Sequence, residues 1–101
     1  MTKKTPHYDL SLVKANIESG NYRITKVSFM FALSDFGFKT KGKICKEVLS
    51  IEHSDFYKSM TSNLNHKIWQ DVYKKKMDRG NAYIKIQILD NETIIISFKK
   101  E

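Results

Sequence analysis

The sequence predicts an α+β domain: helices first, then consecutive strands forming an antiparallel sheet that the N-terminal helices cover on one face. Two observations predict it. Apolar residues in the first half recur at spacings of three and four, whereas those from Ala82 onward alternate with polar ones. The length of 101 residues suits a single domain spanning 1–101, and no repeat, low-complexity tract or linker interrupts it.

The elements follow in order. Asp9 or Ser11 is placed to cap a first helix carrying Leu10, Val13 and Ile17, and Gly20 ends it. Thr25 or Ser28 opens a second helix, with Met30, Leu33 and Phe36 expected on one inward face and Gly37 as its terminator. A shorter third helix is expected between Gly42 and Ile51, where Ile44, Val48 and Ile51 keep helical spacing. The segment SDFYKSMTS, residues 54–62, suits either a strand or a helical turn. Residues 67–75 read as a strand, followed by a loop containing Arg79 and Gly80. Ile84, Ile86 and Ile88 then alternate with Tyr83, Lys85 and Gln87, which predicts a strand with one face in the core and one in water. Asp90, Asn91 and Glu92 are turn-formers, and the β-branched run from Thr93 to Lys99 returns as the second arm of a hairpin.

Composition narrows the function. Hydrophobic residues make up 41% of the chain, enough for one modest core. No apolar run approaches the ~18 residues of a membrane span. The opening MTKKTPHYDL has no apolar stretch behind it, so a cytoplasmic protein without a membrane partner is expected. Cys45 is the single cysteine and, within KICKEVL, is expected to be a small buried residue. His7, His53 and His66 are scattered without ligand-like spacing, so neither a metal nor a cofactor is expected. The net charge of +7 favours a polyanionic partner. Arg23 and Arg79 are the only arginines, so the cations are mostly lysines, which meet phosphates as point charges more than they read bases.

Strand parity points to where that partner sits. The water face of 82–89 carries Tyr83, Lys85 and Gln87. Parity groups Lys99 with Ser97 and Ile95, away from Ile94, Ile96 and Phe98, and groups Gln70 with Ile68, Val72 and Lys74. Neighbouring strands in matching register therefore bring Gln70, Tyr83, Lys85 and Lys99 to one surface. Cations, a phenol and an amide together suit single-stranded RNA. In IWQDVYKKKM, Trp69 is expected in the core on the opposite face from Gln70, and Lys74, Lys75 and Lys76 extend the basic track.

DFYKSM at 55–60, HKIWQDVY at 66–73, AYIKI and ISFK resemble the MqsR family of bacterial toxins, and the opening TPHYDLSLVK is similar to that family's N-terminus. The resemblance runs almost end to end and is loosest over residues 21–45. It implies a RelE-like fold and a metal-independent mRNA interferase, with GCU preferred by the family's best-known member. It also implies a cognate antitoxin, MqsA-like, zinc-binding and bearing a helix-turn-helix domain. The family's activity residues fall on Lys58, Gln70, Tyr83 and Lys99; Lys58 rests on the resemblance alone. Lys74, Lys75, Lys76, Arg79, Lys85 and His7 are the expected RNA contacts. The loop after Tyr73 reads KKKMDRG where the family pattern has an Arg-Pro-Arg-containing loop, which weakens the case for carrying over GCU. The expected chemistry is attack by the RNA's own 2′-hydroxyl, giving a 2′,3′-cyclic phosphate. The competing readings are a basic RNA- or DNA-binding module without catalysis, and a protein that meets only an acidic protein partner.

Overall fold

The computed structural model describes all 101 residues. Helix α1 spans Leu10–Glu18, α2 Lys26–Phe36 and α3 Lys41–Leu49. Strands are β1 Thr2–Lys3, β2 Tyr22–Ile24, β3 Phe56–Thr61, β4 Trp69–Met77, β5 Gly80–Leu89 and β6 Glu92–Lys100. One sheet holds all six strands in the order β1-β3-β4-β5-β6-β2. Every pairing is antiparallel except β2 with β6. The helices precede the long strands, and the architecture is α+β. The undecided segment 54–62 is a 3₁₀ turn at His53–Asp55 running into β3. The short strands β1 and β2 have no signature in the sequence: two and three residues are too few to show a period.

Each helix starts on a side-chain cap. Asp9 accepts from the Ser11 N–H, Thr25 from the Ser28 N–H and Thr40 from the Lys43 N–H, each such cap being worth about 1 kcal/mol. Gly37 ends α2 with φ +72°, a conformation that other residues adopt at a cost. The inward stripe of α2 differs from expectation. Ser28, Ala32 and Phe36 are buried, while Met30 and Leu33 are 59% and 44% exposed. The physical reason is polar. Ser28 Oγ donates to the Ile95 carbonyl at 2.8 Å and Thr25 Oγ1 to the Ile96 carbonyl at 3.3 Å. These bonds fix the rotation of the helix over β6, and small residues at 28 and 32 let it lie close.

The core lies between the helices and one sheet face, and includes Ile44, Val48, Ile51, Ile84, Ile86, Ile95 and Phe98. Full burial of one such side chain contributes about 1.5–3 kcal/mol. Cys45 is in this core, buried and free. The expected parity of β6 fails at one point. Lys85 pairs with Ser97, but Ile86 pairs with Ile95, so Ile96 is an extra residue on β6. This bulge turns Ile95 into the core and Ile94 to the other face, where it is buried outside the core cluster. A second irregularity sits in β3: Phe56 pairs with Tyr73 and Lys58 with Val72, leaving Tyr57 unpaired. The β5–β6 turn is the two-residue Asp90–Asn91, both at positive φ, as a type I′ hairpin requires.

Trp69 is a correction as well. It is only half-buried and sits at the rim of the sheet rather than in the core. The Lys3 ammonium lies 4.2 Å from its ring centre and the His7 ring stacks on it at 5.6 Å. What anchors this corner is Asp71, which is 1% exposed. Its carboxylate accepts from the His7 N–H at 3.0 Å and the Tyr8 N–H at 2.9 Å, while the Tyr8 hydroxyl donates to the Trp69 carbonyl. Asp71→Ala strands those two N–H groups, so urea unfolding should show a loss of about 2–3 kcal/mol relative to the wild-type protein.

Candidate active site

No helix covers the second face of the sheet, and its side chains fall in rows across the strands. One row runs from Lys58 on β3 through Val72 on β4 and Lys85 on β5 to Ser97 on β6. The next carries Lys74, Tyr83 and Lys99 as successive cross-strand partners. The third holds Met60, Gln70, Gln87 and Ile94. Val72 is fully buried although it is not part of the core. Its cross-strand neighbours Lys58 and Lys85 are half-buried, and their aliphatic stems flank it.

The cations converge on two tyrosines. The Lys99 and Lys85 ammoniums lie 5.4 Å and 5.9 Å from the Tyr83 ring centre. Lys74 and Lys58 lie 3.8 Å and 5.3 Å from the Tyr57 ring centre, and Lys4 reaches the same ring from farther away. Tyr57 is on this face because β3 bulges at that residue. Sequence reasoning gives it no role, since a bulge breaks the parity by which a strand residue is assigned to a face.

The charges in the cluster are not equivalent. Lys74 forms an ion pair with Glu101, which raises the lysine pKa and lowers that of the carboxylate. Lys85 moves the other way: burial lowers its pKa most, and the Lys99 and Lys58 charges lower it further. Burial raises the Tyr83 pKa; the Lys74 charge opposes this and Tyr57 adds to it. The face therefore combines a lysine held as a cation, a lysine poorer at holding its proton, and a phenol that keeps its own.

The match to known proteins covers nearly the whole chain. The family described as "Motility quorum-sensing regulator, toxin of MqsA" matches residues 5–100. The chain belongs to this MqsR toxin family. A relative from Escherichia coli (strain K12), named "mRNA interferase toxin MqsR", is 39% identical over 101 residues, spanning 100% of both chains.

In this MqsR-family chain, Lys58, Tyr83, Lys85 and Lys99 share one face, but other residues expected there behave differently. Gln70 has the right face, yet it is only 8% exposed and its Nε2 donates to Gln87 Oε1 at 2.8 Å. Lys75 points to the helix side, where its ammonium meets Glu47 at 3.0 Å. The Arg79 guanidinium lies against Gly37 at the C-terminal end of α2. Lys75, Lys76 and Arg79 line a helix-side cavity of about 390 Å³ with Phe36, Phe38, Lys43 and Lys46. So of the triple lysine only Lys74 joins the tyrosine cluster: alternation turns Lys75 to the other face, and Lys76, opposite Asn81 near the end of the hairpin, lines the cavity instead. No cluster of three or more His, Cys, Asp or Glu side chains is arranged to hold a metal ion.

His7 is also apart from the cluster, at the Trp69 corner. Lys3 Nζ donates to its Nδ1 at 2.9 Å. Burial and the Lys3 charge lower its pKa, and Asp71 only partly opposes them. An NMR titration of the His7 ring should have its midpoint below the ordinary ~6.5. Lys3→Ala should move that midpoint up; an unchanged midpoint would show that the Lys3 charge does not act on the ring.

Proposed function

We infer that this chain is an mRNA interferase: a toxin that cuts single-stranded RNA in the cytoplasm and is silenced by a cognate antitoxin. The observation that carries the reading is the helix-free sheet face, where Lys58, Lys85, Lys99 and Tyr83 lie together and Glu101, paired with Lys74, is the carboxylate in contact. The Escherichia coli relative's name and the family description support the same reaction class and an antitoxin of the MqsA kind. The resemblance adds a zinc-binding, helix-turn-helix antitoxin, a GCU preference and no requirement for metal.

The chemistry uses the substrate's own nucleophile. The 2′-oxygen attacks the adjacent phosphorus, the bond to the 5′-oxygen breaks, and the products are a 2′,3′-cyclic phosphate and a 5′-hydroxyl. Lys58 and Lys99 bind the phosphate and stabilise the charge that builds on it in the transition state, which is often the largest contribution to catalysis. Tyr83, with its pKa raised by burial, keeps its proton at neutral pH and is placed beside Lys99 to donate to the leaving 5′-oxygen. Gln70 and Gln87, bound to each other, form the floor next to this group. Lys74 supplies further attraction for the strand.

Incubation of the purified protein with a GCU-containing RNA in excess EDTA tests the reading. Cleavage with cyclic phosphate ends is the expected result. RNA that is bound but stays whole would instead mark a binding module, and absence of binding would mark a protein with only a protein partner. Tyr83→Phe and Lys58→Ala should each lower the cleavage rate at least about tenfold, a proton-transfer or charge contribution being worth roughly 10²–10⁴-fold. Unchanged rates in both folded variants would remove these two residues from the site.

A further inference from the structure

The cleavage reaction needs a base for the 2′-hydroxyl proton, and the geometry points to Lys85 as that base, an assignment that rests on the ribonuclease reading. Lys85 lies inside its row, with Val72 on one side and Ser97 on the other. Its side chain is half-buried, and its ammonium stands 5.9 Å from the Tyr83 ring centre.

Apart from the Tyr83 ring face, a weak attraction for a cation at 5.9 Å, the groups around Lys85 work against a positive charge there or leave it uncompensated. Lys58 faces it from β3 and Lys99 from β6, and both push its proton off. Tyr83, two residues away on β5, is a neutral phenol. On β4 the neighbour is Val72, which offers no hydrogen bond. Glu101 is engaged by Lys74, and no carboxylate lies within ion-pair distance of Lys85. Burial adds to the effect. The other lysines lack this combination. Lys74 is held as a cation by Glu101, Lys58 lies nearer to its ring, 5.3 Å from that of Tyr57 against 5.9 Å for Lys85 and Tyr83, and Lys99 is exposed.

The step balances within the site. The lone pair of neutral Lys85 Nζ takes the 2′-hydroxyl proton, and the 2′-oxygen forms its bond to phosphorus. The P–O5′ bond breaks with its electron pair on the 5′-oxygen, which takes the Tyr83 proton. Lys85 ends as an ammonium beside a Tyr83 phenolate, and one proton passing between them restores both for the next turnover.

Lys85→Arg separates a base from a phosphate clamp, because the arginine keeps the charge and does not give it up. The variant should lose cleavage at least about 100-fold, while it binds a 2′-O-methyl RNA, which cannot react, within about threefold of wild type. With a substrate whose 5′-oxygen is replaced by sulfur, a leaving group that needs no proton, Tyr83→Phe should recover and Lys85→Arg should not. In the wild-type protein, the ¹³Cε resonance of Lys85 should titrate below the ordinary lysine value of about 10.4. The single-turnover rate should rise with pH up to the same midpoint. Cleavage by Lys85→Arg within about threefold of wild type, or a Lys85 midpoint at or above the ordinary value, would overturn the assignment while leaving the nuclease intact. A wild-type protein that leaves RNA whole would overturn the nuclease reading itself, and the base with it.

Discussion

The register of β4, β5 and β6 is the constraint on which the rest depends. Lys74 opposite Tyr83, and Tyr83 opposite Lys99, put three side chains from distant points of the chain on one face. A slip of one residue in either pairing would send one of them into the core. Hydrophobic burial prevents the slip, because Tyr73, Ile84 and Phe98 occupy the opposite face of the same three strands and are almost wholly buried. The apolar and the chemical faces are thus specified together: the same alternation that buries one set of side chains displays the other.

That display carries an electrostatic cost. Lys58, Lys85 and Lys99 repel one another across the sheet, and burial adds to the penalty at Lys85. On the helix side Lys75 is paired with Glu47, whereas the open face has Glu101 on Lys74 alone. A polyanion is the natural counterpart of such a surface. The fold tolerates the repulsion because the stems of Lys58 and Lys85 flank the buried Val72, so the residues that strain the face also shield part of it from water.

Much of this is legible in the chain, and the parts that are not have identifiable causes. The caps of α1 and α2, Gly37, the hairpin at Asp90–Asn91 and the polar face of β5 all have short-range signals, and these correspond to what the fold contains. The inward side of α2 escapes a sequence reading because hydrophobicity favours Met30 and Leu33, whereas hydrogen bonds from Thr25 and Ser28 to β6 decide the rotation. Size alone sends Trp69 to the core, but its neighbours Lys3 and His7 come from the far end of the chain, and no local pattern announces them. The face of Lys58 and the presence of Tyr57 beside it are hidden for another reason: they follow from a break in alternation, and a bulge has no period to detect.

The break in β6 has a consequence of its own. Ile96 has no partner on β5, and its carbonyl is free to accept from Thr25. Ile95 and Lys99 are four residues apart, so an unbroken zigzag through every residue of β6 would put both on one face and force a choice between sealing the interior and presenting an amine. The backbone of residue 96 alone reconciles the two, so the position should accept many different side chains, and removing it would keep both faces correct while taking away the carbonyl that Thr25 meets.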